Sequence, residues 1–110
     1  MELKKQKEII NQMIKLNCKA WLIESKHGKG VSDILVGVGN KLYFVEAKTY
    51  SDLSTEQEDF LDYDRTFAVF IKNNKTIFFK KEVKNNNILD GGELITVAES
   101  IEEFVKFLRG

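Results

Sequence analysis

The stretch VSDILVGVGNKLYFVEAK, residues 31–48, decides the fold. Two apolar runs rich in β-branched and aromatic residues flank Gly39-Asn40, a pair that marks a two-residue hairpin turn. With that turn, Val38 faces Lys41, and each step back along the first strand meets a step forward along the second. Side chains alternate between faces along a strand. Ile34, Val36, Tyr43 and Val45 then share one face, and Leu35, Leu42 and Phe44 share the other. Both sets are apolar, which predicts the centre of a sheet covered on both sides.

The same register locates the charges. Asp33 falls directly opposite Glu46, with Cβ atoms about 4.5–5.5 Å apart. Two carboxylates facing each other inside an apolar hairpin repel, and sheet stability gives no reason to place them there. A divalent cation reverses the sign of that interaction, and hard oxygen donors suit Mg²⁺ or Mn²⁺. Lys48 lies two residues beyond Glu46 and points the same way. Two carboxylates and an ammonium at one spot suit a metal-activated water and a negatively charged phosphate. A turn displaced by one residue would separate Asp33 and Glu46 onto opposite faces.

Outward from the hairpin, residues 2–17 read as an amphipathic helix, with Leu3, Ile9, Ile10, Met13, Ile14 and Leu16 at near-helical spacing. KAWLIE, residues 19–24, reads as a short strand, and SKHGKG as a basic, glycine-bearing loop. DLSTEQEDFLDY, residues 52–63, reads as a helix with Ser54 as its N-cap. TFAVFI and KTIFFKK read as strands joined at Asn73-Asn74, followed by the loop NNNILDGG. ELITV is a last strand, and ESIEEFVKFLRG a terminal helix whose acidic start and basic end suit the macrodipole. The order α-β-β-β-α-β-β-β-α predicts an α/β fold, a mixed sheet with helices on its faces.

Composition sets limits. At 110 residues and 43% hydrophobic content, the chain suits one domain with one core, residues 1–110. Lysine plus arginine equals aspartate plus glutamate, 17 each, which excludes a polycation that coats nucleic acid by bulk charge. The distribution is uneven. Residues 1–50 hold nine lysines against five acids, and residues 51–70 hold six acids against Arg65. One cysteine, Cys18, excludes an internal disulfide framework and reads as a small buried residue. Trp21 reads as core. No apolar run approaches the roughly 20 residues that span a bilayer, and the N-terminus lacks a signal peptide's apolar stretch. The expectation is a soluble, cytoplasmic protein without a membrane partner.

Three segments together resemble a family: Gly30-Val-Ser-Asp33-Ile-Leu-Val-Gly37, Tyr43-Phe-Val-Glu46-Ala-Lys48, and Leu53-Ser-Thr-Glu-Gln57. This set is similar to the PD-(D/E)XK nuclease superfamily and, within it, to the virus-type replication-repair nuclease (VRR-NUC) domain. Such domains occur as small phage-type proteins and are related to Holliday-junction resolvases of DNA repair and recombination. The resemblance spans residues 8 to about 61, with a weaker echo at Thr96-Val-Ala-Glu-Ser100. It implies a restriction-endonuclease-like fold, an α-β-β-β-α-β core here extended by an extra hairpin and a C-terminal helix. It also implies a homodimer. By the resemblance, Asp33 and Glu46 bind the metal, with the carbonyl of Ala47 as a backbone ligand. Lys48 positions or activates the attacking water, and Glu8 and Gln57 sit beside the site. Two departures stand out: Ser32 occupies a position where proline is typical, and residues 72–92 are longer than the usual link between the last strands.

Plainer roles compete for several of these residues. Gln57 lies three residues after Ser54, which fits a capping box equally well. Glu8 is one of several helix acids and fits a solvated pair with a nearby lysine. His27 fits a phosphate contact, a base, or simple solvation. The functional expectation is an Mg²⁺- or Mn²⁺-dependent deoxyribonuclease with no small-molecule cofactor. Lys26, His27, Lys29, Lys4, Lys5 and Lys7 are its candidate DNA contacts, because phosphate charge supplies most of such affinity. Two rival classes remain. The acidic segment from Glu56 to Asp64 suits a non-catalytic binding or inhibitor protein of phage type that keeps the nuclease fold. A structural subunit of a phage or repair complex would use the lysine-rich residues 72–92 as a docking hairpin.

Overall fold

The computed structural model describes residues 3–23, 34–48, 55–72, 74–81 and 93–110, with residues 3 and 55–57 described by backbone alone. Among them the elements follow the expected order: α1 (Leu3–Lys15), β1 (Lys19–Leu22), β2 (Ile34–Val38), β3 (Lys41–Lys48), α2 (Thr55–Phe60), β4 (Thr66–Lys72), β5 (Lys75–Lys81), β6 (Leu94–Ala98) and α3 (Ile101–Arg109). The six strands form one sheet in the order β1-β2-β3-β4-β5-β6. Neighbours are antiparallel except β3 and β4, which are parallel. A parallel pair needs a crossover, and the segment containing α2 supplies it.

The β2–β3 hairpin has the expected register, from Val38 opposite Lys41 to Ile34 opposite Val45. Gly39 takes φ +63° while Asn40 stays out of the left-handed region, as a type II′ turn requires. One face of the sheet carries the core. Ile34, Val36, Val45 and Val69 are fully buried there against Ile9, Ile10 and Met13 of α1 and Ile101, Phe104 and Val105 of α3. Phe78 of β5 stacks on Phe104 with ring centroids 4.0 Å apart, and Phe67 meets Phe104 edge-on at 5.0 Å.

Both covering helices have defined ends. After α1, Asn17 takes φ +68°, Cys18 N–H donates to the Met13 carbonyl at 3.1 Å and Asn17 N–H to the Ile14 carbonyl at 3.0 Å. Those two bonds make a Schellman motif with asparagine in the position glycine usually holds. Ser100 caps α3, its Oγ accepting from Glu103 N–H at 3.0 Å. Arg109 then donates from Nη2 to the Leu16 carbonyl at 2.6 Å, joining the C-terminal ends of the two helices.

The expectation of a hairpin covered on both sides is corrected. Leu42 is 48% exposed, Phe44 37% and Trp21 48%, so Trp21 is not a core residue. The register gives the reason: Trp21 pairs with Leu35 and Leu35 with Phe44, and all three point away from α1 and α3. An apolar alternation cannot tell which of two apolar faces a helix will cover. The helix expected over residues 52–63 is also shorter within the described residues, ending at Phe60 before a turn that leads to Arg65 at φ +57°. Ser54, its expected cap, lies outside the described residues. Within residues 72–92, the described part includes β5, an interior strand with Phe78 fully buried, so that part is sheet core rather than a docking hairpin.

Candidate active site

β3 is an interior strand between antiparallel β2 and parallel β4. Its alternation sends Tyr43, Val45 and Ala47 into the helix-covered core and Leu42, Phe44, Glu46 and Lys48 to the opposite face. Glu46 is only 6% exposed. Its neighbour across the parallel pair is Ala68, and Lys48 has Phe70 in the same place. A carboxylate so deep in a sheet is costly to desolvate, and such groups are kept where a cation, a metal or strong donors stabilise the charge. Lys48, half-buried, starts from the same face two residues further on.

The remaining candidates are distributed as follows. Asp33 and the basic loop residues Lys26, His27 and Lys29 lie outside the described residues. So does Ser32. Gln57 is on α2, with its side chain outside the described atoms. Glu8 is exposed on α1 and lines a cleft of about 160 Å³ with Lys5, Gln12, Asn74 and Thr76. Neither Glu46 nor Lys48 lines that cleft. Lys4 and Lys7 are exposed on the same helix and Lys5 is half-buried. Among the described residues, no group of three or more His, Cys, Asp or Glu side chains is placed to hold a metal. The motif's described metal-ligand candidates are the Glu46 carboxylate and the Ala47 carbonyl, both oxygen, as hard cations prefer.

Two further residues bear on the site's frame. Lys80 of β5 was not singled out by sequence. Its Nζ donates to the carbonyls of Leu61 and Tyr63, each at 2.7 Å, and to Thr66 Oγ1 at 3.0 Å. It therefore pins the turn between α2 and β4, beside the Lys81–Asp62 ion pair at 2.8 Å. Burial pushes the Lys80 ammonium below its usual pKa, against the opposing pull of Asp64 and Asp62. The signal was invisible in sequence because its partners, two carbonyls and one hydroxyl, belong to residues 14 to 19 positions away. Cys18 is buried as expected, and burial raises its thiol pKa, with Arg109 acting in the opposite direction. That thiol is poorly suited to nucleophilic work.

A mixed six-stranded sheet flanked by helices, with its parallel pair at the centre, is the restriction-endonuclease-like architecture. The same fold is found in Hjc, a Holliday junction resolvase from the archaeal hyperthermophile Archaeoglobus fulgidus. The two superpose with a TM-score of 0.61 over 86% of this chain and 88% of that one, at 14% identity. No protein-family model and no curated protein matches the chain. No helix among the described residues is long and apolar enough to cross a membrane.

Proposed function

We propose that the chain is a metal-dependent nuclease that hydrolyses phosphodiester bonds of DNA. The observation that carries this reading is Glu46, a carboxylate 6% exposed on an interior strand, with Lys48 on the same face. Asp33, which the sequence reading sets opposite Glu46 and the motif resemblance makes a metal ligand, is the second carboxylate of this proposal. The fold shared with a junction resolvase supports the same class of chemistry.

Asp33, Glu46 and the Ala47 carbonyl would hold Mg²⁺ or Mn²⁺; their all-oxygen character fits either ion. When bound, such an ion supplies Lewis acidity and lowers the pKa of water. The chain's own part is to fix the donors on a rigid interior strand, and to set the Lys48 ammonium where it orients the attacking water and offsets charge on the phosphate. Glu8 and Gln57 are assisting residues in this proposal, and Lys4, Lys5, Lys7, Lys26, His27 and Lys29 contact DNA phosphates. A homodimer would present two such centres to a duplex or branched substrate.

Incubation with a panel of duplex, flap, single-stranded and four-way-junction DNAs tests the proposal. Cleavage of at least one substrate in Mg²⁺ or Mn²⁺, and of none in EDTA, is the expected result. Intact DNA throughout the panel under both metals would leave the fold without the activity.

A further inference from the structure

The open face of the sheet carries more than Glu46 and Lys48. One pleat from Glu46, a lateral row runs across three strands through Trp21, Leu35 and Phe44. Two residues along a strand is about 6.8 Å, so this row meets the candidate site at Phe44 and carries on across two strands to Trp21. The next row is Lys19, Gly37 and Leu42. Gly37 has no side chain, and a Cβ placed there would lie 3.7 Å from each of Trp21 Cζ3, Leu42 Cδ2 and Lys19 Cβ. The result is a trough with a bare backbone floor and an indole along one wall. It forms part of a cleft of about 340 Å³, at the small end of the ~300–1,000 Å³ typical of ligand sites.

The charge around this trough is one-sided. Lys19 and Lys41 line the cleft, Asn17 and Asn40 add amides, and no acidic residue does so among the described residues. Apolar walls of Trp21 and Leu42 with a cationic and amide rim match a nucleotide, whose base offers a flat π-face and whose phosphate offers an anion. A second copy of this chain would have to bring the same lysines face to face, unless the copies were offset.

We infer that Trp21 and Phe44 form a stacking platform for an unpaired base next to the scissile phosphate, with Lys19 and Lys41 on the adjoining backbone. The inference rests on the nuclease reading for the position of that phosphate, and it sharpens the substrate class. The preferred DNA carries a single-stranded nucleotide at the site, as a flap, a gap or a branch point does. A base held inside a duplex stack cannot reach the platform, and extruding it costs a few kcal/mol.

Trp21 is the chain's one tryptophan, so selectively excited tryptophan fluorescence reports on this face alone. The probe is an oligothymidylate of about 12 nucleotides, compared with a blunt duplex of the same length, both in EDTA so that no cleavage occurs. Single strands should quench Trp21 and the blunt duplex should not. By anisotropy of a labelled strand, Trp21→Ala should weaken single-strand binding about 5- to 150-fold, the usual range for one lost stacking contact. Trp21→Phe should restore most of it. Gly37→Val, whose new Cβ has only ordinary contacts, should fill the trough and weaken binding with every aromatic ring still present. Circular dichroism of each variant separates lost binding from lost folding.

Unchanged affinity in folded Trp21→Ala and Gly37→Val would overturn the platform. So would sedimentation that shows Trp21→Ala turning a dimer into a monomer at constant DNA affinity, since the face would then serve self-association. The two readings fail separately. Binding in EDTA without cleavage in any metal defeats the nuclease and leaves the platform, whereas cleavage that is indifferent to Trp21 and Gly37 does the reverse.

Discussion

The two faces of the sheet are both rich in apolar residues, yet they are built for different ends. The face under α1 and α3 closes over residues such as Ile34, Val36, Val45, Val69 and Phe78, all fully buried. The other face leaves Trp21, Leu42 and Phe44 substantially exposed, beside a deeply buried Glu46 and a half-buried Lys48. Stability is concentrated on the first face. The second sets a costly carboxylate beside exposed rings, a combination that packing alone does not explain. Substitutions on the two faces should therefore separate into those that unfold the chain and those that disarm it.

The largest loss of stability belongs to the covered face. Phe104 is fully buried, stacked on Phe78 and edge-on to Phe67. Phe104→Ala should cost about 3–5 kcal/mol in urea unfolding, through lost burial and the cavity left behind. A value below about 1 kcal/mol would mean that α3 is not a working lid.

Next comes the Lys80 clamp. Lys80→Met keeps the stem and removes the donor to the Leu61 and Tyr63 carbonyls, at an expected cost of about 1–3 kcal/mol. Its pH dependence has a defined sign. Because burial lowers the ammonium pKa, the unfolded chain holds that proton more tightly than the folded one. Stability contributed by this group thus rises with pH through the alkaline window just below the free lysine's value. Unfolding wild type and Lys80→Met at about pH 8 and about pH 10 should show the wild type gaining on the variant. A difference that shrinks would reverse the assigned sign.

Smaller still is the cap that holds the lid. Ser100→Ala removes the acceptor for Glu103 N–H and should cost about 1 kcal/mol, with Ser100→Asp recovering most of it. The smallest effect belongs to the open face. Leu42→Ser, at a position 48% exposed, should change stability by less than about 0.5 kcal/mol. A cost rivalling that of Phe104→Ala would erase the distinction between the faces.

Much of the fold was legible because its decisive signals are local. Gly39 fixes the turn, the turn fixes the register from Val38–Lys41 to Ile34–Val45, and the element order follows from periodicity. Coverage was not legible, because Leu35, Leu42 and Phe44 are as apolar as the residues opposite. Which face the helices took depends on where α1 and α3 land, a long-range matter. Trp21 was misassigned for that reason. For the candidate site, Glu46 and Lys48 stand on one face of β3 as their spacing requires, and Asp33 lies outside the described residues. Glu8 lines a cleft with Lys5, Gln12, Asn74 and Thr76, a neighbourhood set by where α1 lands and not by spacing along the chain. Lys80 escaped notice because its partners, two main-chain carbonyls and the Thr66 hydroxyl, are brought near by β5 joining the sheet.

The central claim is that the buried Glu46 serves metal-dependent cleavage of DNA. Its most direct test is the cleavage rate of the best panel substrate in Mn²⁺, with wild type and Glu46→Gln purified in parallel and matched for folding by circular dichroism. The amide keeps the shape and removes the anionic oxygen donor. The account predicts cleavage by the wild type and none above the EDTA background by the variant. Equal rates for the two proteins would contradict it and place the activity somewhere other than β3.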